Sequence, residues 1–196
     1  MTLTSELAWA TQILAALLGA AYVVLAAYRN RLCWVAGAVS SALVGALSLA
    51  GKLPMQGALN AYYVAMSVYG YWNWSRASAK GELPVGMLPL RWHLLAAAVL
   101  VPLSWLTADL IAAELNSAWP LVDSLAFWFS LFATWLVARA KIENWIYWII
   151  IDGVLVYLYY VQGMSILALQ FAALTCLALA GFIEWRRKLH TQAAPP

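Results

Sequence analysis

Residues 144–160 read NWIYWIIIDGVLVYLYY, a mostly apolar run that carries one carboxylate, Asp152. As an α-helix this run would be about 26 Å long at roughly 1.5 Å per residue, and the hydrocarbon core of a membrane is about 30 Å thick. Its apolar residues follow one another without the two-residue alternation of a barrel strand. The run therefore predicts a transmembrane helix.

The rest of the chain has the same character. Of its 196 residues, 65% are hydrophobic and 10% are charged, and the mean hydropathy is +0.79. Soluble domains are about 45–50% apolar and have too little interior at this length to bury so much apolar surface. Short polar breaks separate seven predicted spans: Trp9–Tyr28, Leu32–Ala50, Met55–Trp74, Trp92–Leu110, Leu121–Ala138, Asn144–Tyr160 and Met164–Phe182. The prediction is an all-α integral membrane protein surrounded by membrane lipid.

The cationic residues are distributed unequally. With seven spans, ten of the eleven Lys and Arg residues fall on one side of the membrane: Arg29, Arg31, Arg76, Lys80, Arg91, Arg139, Lys141, Arg186, Arg187 and Lys188. Lys52 falls on the other side. Because Lys and Arg accumulate in cytoplasmic loops, we predict a multi-pass protein with its N-terminus outside and its C-terminus in the cytoplasm. The net charge of +3 is thus a signal of topology, and no nucleic-acid partner is expected.

An internal repeat relates the first part of the chain to the last. At one constant offset it pairs Trp34 with Trp145, Gly70 with Gly181, Trp74 with Trp185, and Arg76 with Arg187. Helices 1–3 (about 9–74) would then match helices 5–7 (about 121–182) around a linker helix 4 (about 92–110). This is a parallel 3+1+3 plan within a single membrane domain over residues 1–196. The alternative is chance, because Trp and Gly are frequent in this chain and Trp and Arg favour helix ends.

Asp152 is the acidic residue that lies deep inside a predicted span. It stands eight residues into helix 6, about 12 Å from the helix end at roughly 1.5 Å per residue. An Asp at such a depth costs about 2.5–3.5 kcal/mol on insertion scales and normally has a partner. No Lys or Arg occurs at that depth in any predicted span. Hydrogen bonds to neutral side chains, protonation and a cationic ligand therefore remain as explanations.

Two indoles share the helical face of this carboxylate. Trp145, Trp148 and Asp152 stand at positions i, i+3 and i+7. Two indoles beside a carboxylate can hold a flat cation by stacking, cation–π attraction and charge pairing. The alternative for Trp145 is membership of the interfacial Trp belt.

Helix 3 carries a second polar stripe. Gln56, Asn60, Tyr63 and Ser67 follow one another at spacings of 4, 3 and 4, which places them on one face. Because lipid-facing amides are costly, this face should look into the bundle. It would either contact a ligand or form hydrogen bonds between helices. Gln170 in helix 7 is a weaker candidate.

No pattern for metal, cofactor or catalysis is present. Cys33 and Cys176 lie inside apolar spans, where a thiol usually only packs, so neither a disulfide nor a metal site is predicted. His93 and His190 lack the companion ligands that a metal requires. The sequence has no phosphate-binding loop, nucleophile elbow or HExxH motif. We predict no cofactor and no enzymatic activity.

Three segments resemble the PnuC vitamin-transporter family. Residues 144–152, NWIYWIIID, are similar to its WxxWxxxN/D motif. Residues 55–74, MQGALNAYYVAMSVYGYWNW, are similar to its Q…N-x-YY…YGxWxW stretch, and residues 181–187, GFIEWRR, match the end of its last helix. The resemblance covers almost the whole chain and is specific in helices 3 and 6.

The resemblance implies a fold and a function. The expected fold is a seven-helix, 3+1+3 pseudo-symmetric bundle similar to the SWEET sugar carriers, usually a homotrimer in the bacterial inner membrane. The expected function is facilitated diffusion of nicotinamide riboside, without ion coupling, followed by trapping through a cytoplasmic kinase. The implied substrate-binding residues are Trp145, Trp148, Asp152, Gln56, Asn60 and Tyr63. Asp152 stands where riboside carriers often have Asn, and since thiamine is also a flat cation, a thiamine carrier is the alternative.

Two other functional classes are disfavoured by particular residues. A seven-helix retinal receptor needs a Lys inside its last span, but Lys52, Lys80, Lys141 and Lys188 all lie in breaks or at span edges. A ligand-sensing receptor of another kind stays a distant alternative. An intramembrane enzyme would need a second acid, a nucleophile with its base or a metal cluster, and Asp152 has no obvious second acid.

Overall fold

The computed structural model describes residues 3–78, 83–115 and 119–193. These residues form seven helices: α1 Leu3–Ala27, α2 Cys33–Ala50, α3 Pro54–Ser78, α4 Leu90–Leu115, α5 Pro120–Ala138, α6 Glu143–Val161 and α7 Ser165–Ala193. Within these ranges the one β-type pairing is an isolated bridge between Gly86 and Lys141. The predicted all-α fold is confirmed.

Several helix boundaries differ from the predicted ones. The helix α1 begins at Leu3 and not at Trp9, and α7 continues to Ala193, well beyond the predicted end at Phe182. The predicted spans stopped where the apolar run stops. Residues 183–193 read IEWRRKLHTQA, and Glu, Arg, Lys, Leu, Gln and Ala are good helix formers. The helix therefore continues after its apolar segment ends.

The helix α3 is the most polar of the seven. Six described helices are long and apolar enough to cross a membrane, and α3 is not among them because its composition is too polar. Its 25 residues would nevertheless span about 37 Å at roughly 1.5 Å per residue. It packs between α2 and α5. Neighbouring helices, and not lipid, thus receive much of its polar surface.

Six helices form a closed ring, and α4 lies outside it. The ring runs α1–α2–α3–α5–α6–α7, and α7 packs back onto α1. The helix α4 packs against α5, where Trp128 Nε1 donates to Thr107 Oγ1 at 2.8 Å and Thr107 Oγ1 lies 2.9 Å from Ser124 Oγ. Helices α1–α3 and α5–α7 therefore form two equivalent halves, as the 3+1+3 prediction requires.

The backbone repeats at the same offset as the sequence. In the described part of the chain, four residues have positive φ angles. Arg29 (56°) pairs with Ala140 (51°), and Lys52 (59°) pairs with Gly163 (74°). Three of these residues are not glycine and adopt a conformation that costs an L-residue about 1–2 kcal/mol. Equivalent turns in both halves argue against chance.

A hydrophobic cluster of buried residues lies at the end of the bundle that carries most of the basic residues, here called the basic end. Trp34, Trp74, Trp145 and Trp185 meet there and form a tryptophan layer, in which each side chain is at most 3% exposed. Trp34 packs edge-to-face on Trp74 at 5.3 Å, and its repeat equivalent Trp145 packs on Trp185 at 5.5 Å. The two pairs meet where Trp74 approaches Trp185 at 6.1 Å.

Glycines make this layer possible. A Cβ at Gly70 would overlap the Trp34 indole, and one at Gly181 would lie 2.6 Å from the Trp145 indole. Real Cβ contacts are essentially never so short. The glycine and tryptophan pairs found in the sequence are therefore one structural unit that occurs in both halves.

Hydrogen bonds join the two halves at the tryptophan layer. The last carbonyls of a helix lack partners within the helix, and here side chains of the opposite half supply them. The cross-half bonds are Trp74 Nε1 to Val137 O (3.3 Å), Asn73 Nδ2 to Ala138 O (2.8 Å), and Trp185 Nε1 to Ala26 O (3.1 Å) and Ala27 O (3.0 Å). They tie α3 to α5 and α7 to α1.

Candidate functional site

A cavity of about 640 Å³ lies inside the ring of six helices. This volume falls within the range of small-molecule sites, about 300–1,000 Å³. At the basic end it stops at Trp34 and Trp145 of the tryptophan layer, both buried. At the opposite end its lining includes Gln12 and Gln170, both exposed. The cavity is thus closed by indoles at the basic end and reaches the surface at the other end.

Asp152 is the charged residue among the described residues that line the cavity. It is 5% exposed, and no described side chain donates a hydrogen bond to it or forms an ion pair with it. Tyr63 lines the same cavity. A buried carboxylate without a paired cation is expensive. Its position therefore favours a cationic ligand over a structural ion pair.

The other two residues of the helix 6 motif have different surroundings. Trp148 is partly buried and lines the cavity one turn from Asp152. Trp145 also lines it, but its ring is held between Trp185 and the backbone of Gly181, and its Nε1 is buried with no described hydrogen-bond partner. The structure thus places Trp148 and Asp152 on the cavity wall and Trp145 in its floor.

The helix 3 residues separate into two groups. Tyr63 lines the cavity and donates to Ser130 Oγ at 3.0 Å. Gln56 and Asn60 are not among the described lining residues. The Asn60 side chain is buried, donates to Gln56 O at 2.9 Å and lies beside Gly45 of α2. In this structure the Asn60 amide lies at the α2–α3 interface, and the contact of Gln56 and Asn60 with a ligand stays a prediction.

Several lining residues were not selected from the sequence. Tyr22 of α1, Ser41 of α2 and Thr134 of α5 all line the cavity. Two residues that the sequence did suggest also line it, the weaker candidate Gln170 and Ser67 of the helix 3 stripe. The repeat offers a signal for one of them, because Ser41 is the repeat equivalent of Asp152. The α1 and α5 residues have no motif, since their helices are simply apolar.

Comparison with known proteins agrees with this architecture. The family described as nicotinamide mononucleotide transporter matches residues 9–187 of the chain. The chain belongs to this family. The nicotinamide riboside transporter PnuC of Escherichia coli (strain K12) is 25% identical over 182 residues, an alignment that covers 76% of this chain and 73% of that protein. The PnuC protein of Shigella flexneri gives the same values.

A solved structure shares the fold. The crystal structure of the vitamin B3 transporter PnuC superposes with a TM-score of 0.70 at 23% identity, over 93% of this chain and 83% of that one. The predicted membership of the PnuC family and the predicted seven-helix fold are confirmed. The chain is a multi-pass membrane protein of a transporter family, and its relatives are transporters and not enzymes.

Proposed function

We propose that this protein carries nicotinamide riboside across the bacterial inner membrane by facilitated diffusion. The observation that carries the proposal is Asp152, a carboxylate without an ion-pair partner among the described residues, on the wall of a cavity of about 640 Å³. Nicotinamide riboside has a flat pyridinium ring with one positive charge and a neutral sugar. The flat face of the ring can stack on Trp148, and its positive charge can pair with Asp152.

The charge of the cavity favours the riboside over its phosphorylated form. No Lys or Arg is found among the described lining residues. A phosphate would enter without a cationic partner and would meet the carboxylate of Asp152. The riboside avoids this repulsion, so we propose that the unphosphorylated vitamin is the substrate.

The sugar and the carboxamide need polar partners. Tyr63 is the proposed helix 3 contact in this state, because it lines the cavity. Gln56 and Asn60 remain proposed contacts, and Asn60 would reach the substrate in a state in which α3 has moved relative to α2. Trp145 would contribute the indole at the bottom of the site.

Transport in this proposal proceeds by alternating exposure of the cavity. The basic end faces the cytoplasm, as the Lys and Arg distribution suggests, and the tryptophan layer is the closed inner gate. Opening it breaks the cross-half bonds. It also exposes the Nε1 groups of Trp34 and Trp145 to water. In the closed state these groups are buried without described partners, which destabilises that state by about 1–3 kcal/mol for each group. This cost makes the closed state easier to leave.

The scarcity of ionisable groups supports the proposal of transport without ion coupling. Apart from Asp152, the described lining residues include no acid or base that could carry a proton or bind a metal cation in exchange. Net uptake then depends on trapping by a cytoplasmic kinase. By the resemblance to its family, the protein is proposed to act as a homotrimer. A thiamine carrier is the alternative, since thiamine is also a flat cation.

Binding measurements test the substrate. Calorimetry on the purified, monodisperse protein should show saturable binding of nicotinamide riboside and much weaker binding of the mononucleotide, with thiamine and riboflavin as further ligands. Tighter binding of thiamine would assign the alternative, and tighter binding of the mononucleotide would contradict the charge argument.

Proteoliposomes test the mechanism. The internal concentration of riboside should reach the external concentration and stop there, with or without an imposed proton or sodium gradient. Accumulation above the external level under such a gradient would show that transport is coupled.

A further inference from the structure

The ring of Tyr22 occupies a defined place on the wall formed by the first half. It lines the cavity, and it packs edge-to-face on Trp34 at 5.7 Å with an interplanar angle of 65°. A Cβ at Gly37 of α2 would lie 2.9 Å from the ring. Tyr22 therefore fills the space beside α2 that a side chain at position 37 would otherwise enter.

The internal repeat relates the place of the Tyr22 ring to that of Trp148. At the offset that relates Trp34 to Trp145, Gly37 corresponds to Trp148, and Tyr22 corresponds to Ala133. The large and small residues are thus exchanged between the halves. In the second half α6 supplies the aromatic ring, and in the first half α1 supplies it. The Tyr22 ring therefore starts at the space into which a side chain at position 37, the repeat equivalent of Trp148, would project.

The arrangement of the ring helices places these two aromatic residues across the cavity from each other. In the order α1–α2–α3–α5–α6–α7, α2 lies opposite α6. Tyr22 covers α2 at Gly37, and Trp148 projects from α6 at the equivalent level. Both residues line the cavity.

The hydroxyl of Tyr22 has no hydrogen-bond partner within the described part of the protein. No described residue forms a hydrogen bond with it, whereas Tyr62 and Tyr63 donate to Leu131 O and Ser130 Oγ. Tyr22 is only partly buried, and it lines the cavity. Inside a membrane bundle a phenol that faces a cavity without a protein partner is available to a ligand.

From these observations we infer that Tyr22 is a substrate-contacting residue that faces Trp148 across the site. The flat ring of the substrate lies between the two aromatic side chains, and the Tyr22 hydroxyl donates a hydrogen bond to a polar group of the substrate. This inference rests on the proposed function and adds a determinant of specificity to it: the site requires a planar ring with two accessible faces.

Calorimetry with two ligands tests the inference. Nicotinamide riboside and 1-methylnicotinamide share the flat cationic ring, but the second has no sugar. Tyr22→Leu should weaken both ligands by about 5- to 150-fold, the range found when a base loses an aromatic stacking partner. Tyr22→Phe keeps the ring and should lose roughly 2- to 12-fold for the riboside, the value of one hydrogen bond.

Two further variants separate contact from structure. Gly37→Ala keeps the tyrosine at position 22, but the added Cβ displaces its ring. The affinity for both ligands should therefore fall at least about 5-fold. Tyr28→Leu is the matched control, because Tyr28 directly follows α1 and is 69% exposed outside the cavity. It should bind both ligands like the parent. If Tyr22→Leu is not monodisperse, the Phe and Gly37→Ala variants decide the matter.

The outcomes distinguish this inference from the proposed function. If the parent binds the riboside but Tyr22→Phe and Gly37→Ala bind it equally well, the Tyr22 assignment is overturned and the proposed function stands. Loss confined to the riboside, with 1-methylnicotinamide unaffected by Tyr22→Leu, would overturn the stacked geometry. If the parent binds neither ligand nor thiamine, the proposed function fails and this inference fails with it.

Discussion

The cross-half bonds at the tryptophan layer can be tested with a pair of matched substitutions. Trp74→Phe and Trp185→Phe remove the same indole N–H and the same volume from repeat-equivalent positions. Their hydrogen-bond consequences differ. After Trp74→Phe, Val137 O keeps its bond from Ala140 N, and Ala138 O keeps its bond from Asn73. No described carbonyl at the end of α5 loses its last partner.

Trp185→Phe has a larger cost. Ala26 O keeps its bond from Arg29 N. Ala27 O, in contrast, accepts a bond from a single donor among the described residues outside α1, and that donor is Trp185 Nε1. A buried carbonyl left unpaired costs about 1–3 kcal/mol, whereas a lost bond whose acceptor keeps a partner costs about 0.5–1.5 kcal/mol. In the proposed mechanism only the closed state carries this cost, because opening would expose the carbonyls to water. The open population should rise roughly 5- to 150-fold for Trp185→Phe and roughly 2- to 12-fold for Trp74→Phe.

The native Cys33 reports on this opening. It is fully buried beside Trp34, whereas Cys176 is exposed and should first be replaced by Ser. The rate of labelling of Cys33 by a membrane-permeant maleimide, well below the unfolding temperature, should increase in the order parent, Trp74→Phe, Trp185→Phe. Equal rates in all three proteins, or faster labelling of Trp74→Phe than of Trp185→Phe, would refute the reasoning.

Three other predictions concern the site, the layer and the topology. Asp152→Asn should weaken nicotinamide riboside roughly 10- to 150-fold in calorimetry, because a charged hydrogen-bond partner contributes about 1.5–3 kcal/mol; parent-like affinity would mean that the carboxylate does not pair with the ligand. Gly70→Ala should cost about 1–3 kcal/mol in thermal unfolding because its Cβ collides with Trp34. Gly153→Ala is the control, since its Cβ meets nothing within 4 Å and should be neutral or stabilising. A C-terminal alkaline phosphatase fusion should be inactive in cells, and strong activity would reverse the proposed orientation.

Much of the fold could be predicted from the sequence because lipid imposes simple rules. Backbone groups must be satisfied within each span, so apolar runs of suitable length predict helices. The constant offset between paired tryptophans and glycines predicted the two halves, and the equivalent positive φ angles at Arg29 and Ala140 follow it. The polar composition of α3 is the exception, because its polar residues are accepted by neighbouring helices and not by lipid.

The site was only partly accessible from the sequence. Helical periodicity placed Trp148 and Asp152 on one face of α6, and that face does line the cavity. The same periodicity placed Gln56, Asn60, Tyr63 and Ser67 on one face of α3, yet of these described residues only Tyr63 and Ser67 line the cavity in this structure. A face is wide enough to contact both a cavity and a neighbouring helix, and rotation of the helix decides how its residues are divided.

The sequence by itself determined the number of helices, the segregation of the basic residues, the two-fold repeat and the acid inside α6. Each of these depends on composition and spacing along one chain segment. The tertiary structure alone decided that Trp145 lies in the floor of the cavity, that Asn60 packs beside Gly45, and that Tyr22 covers Gly37. The physical reason is that these contacts join different helices, and their geometry is fixed by close packing, which no local pattern encodes.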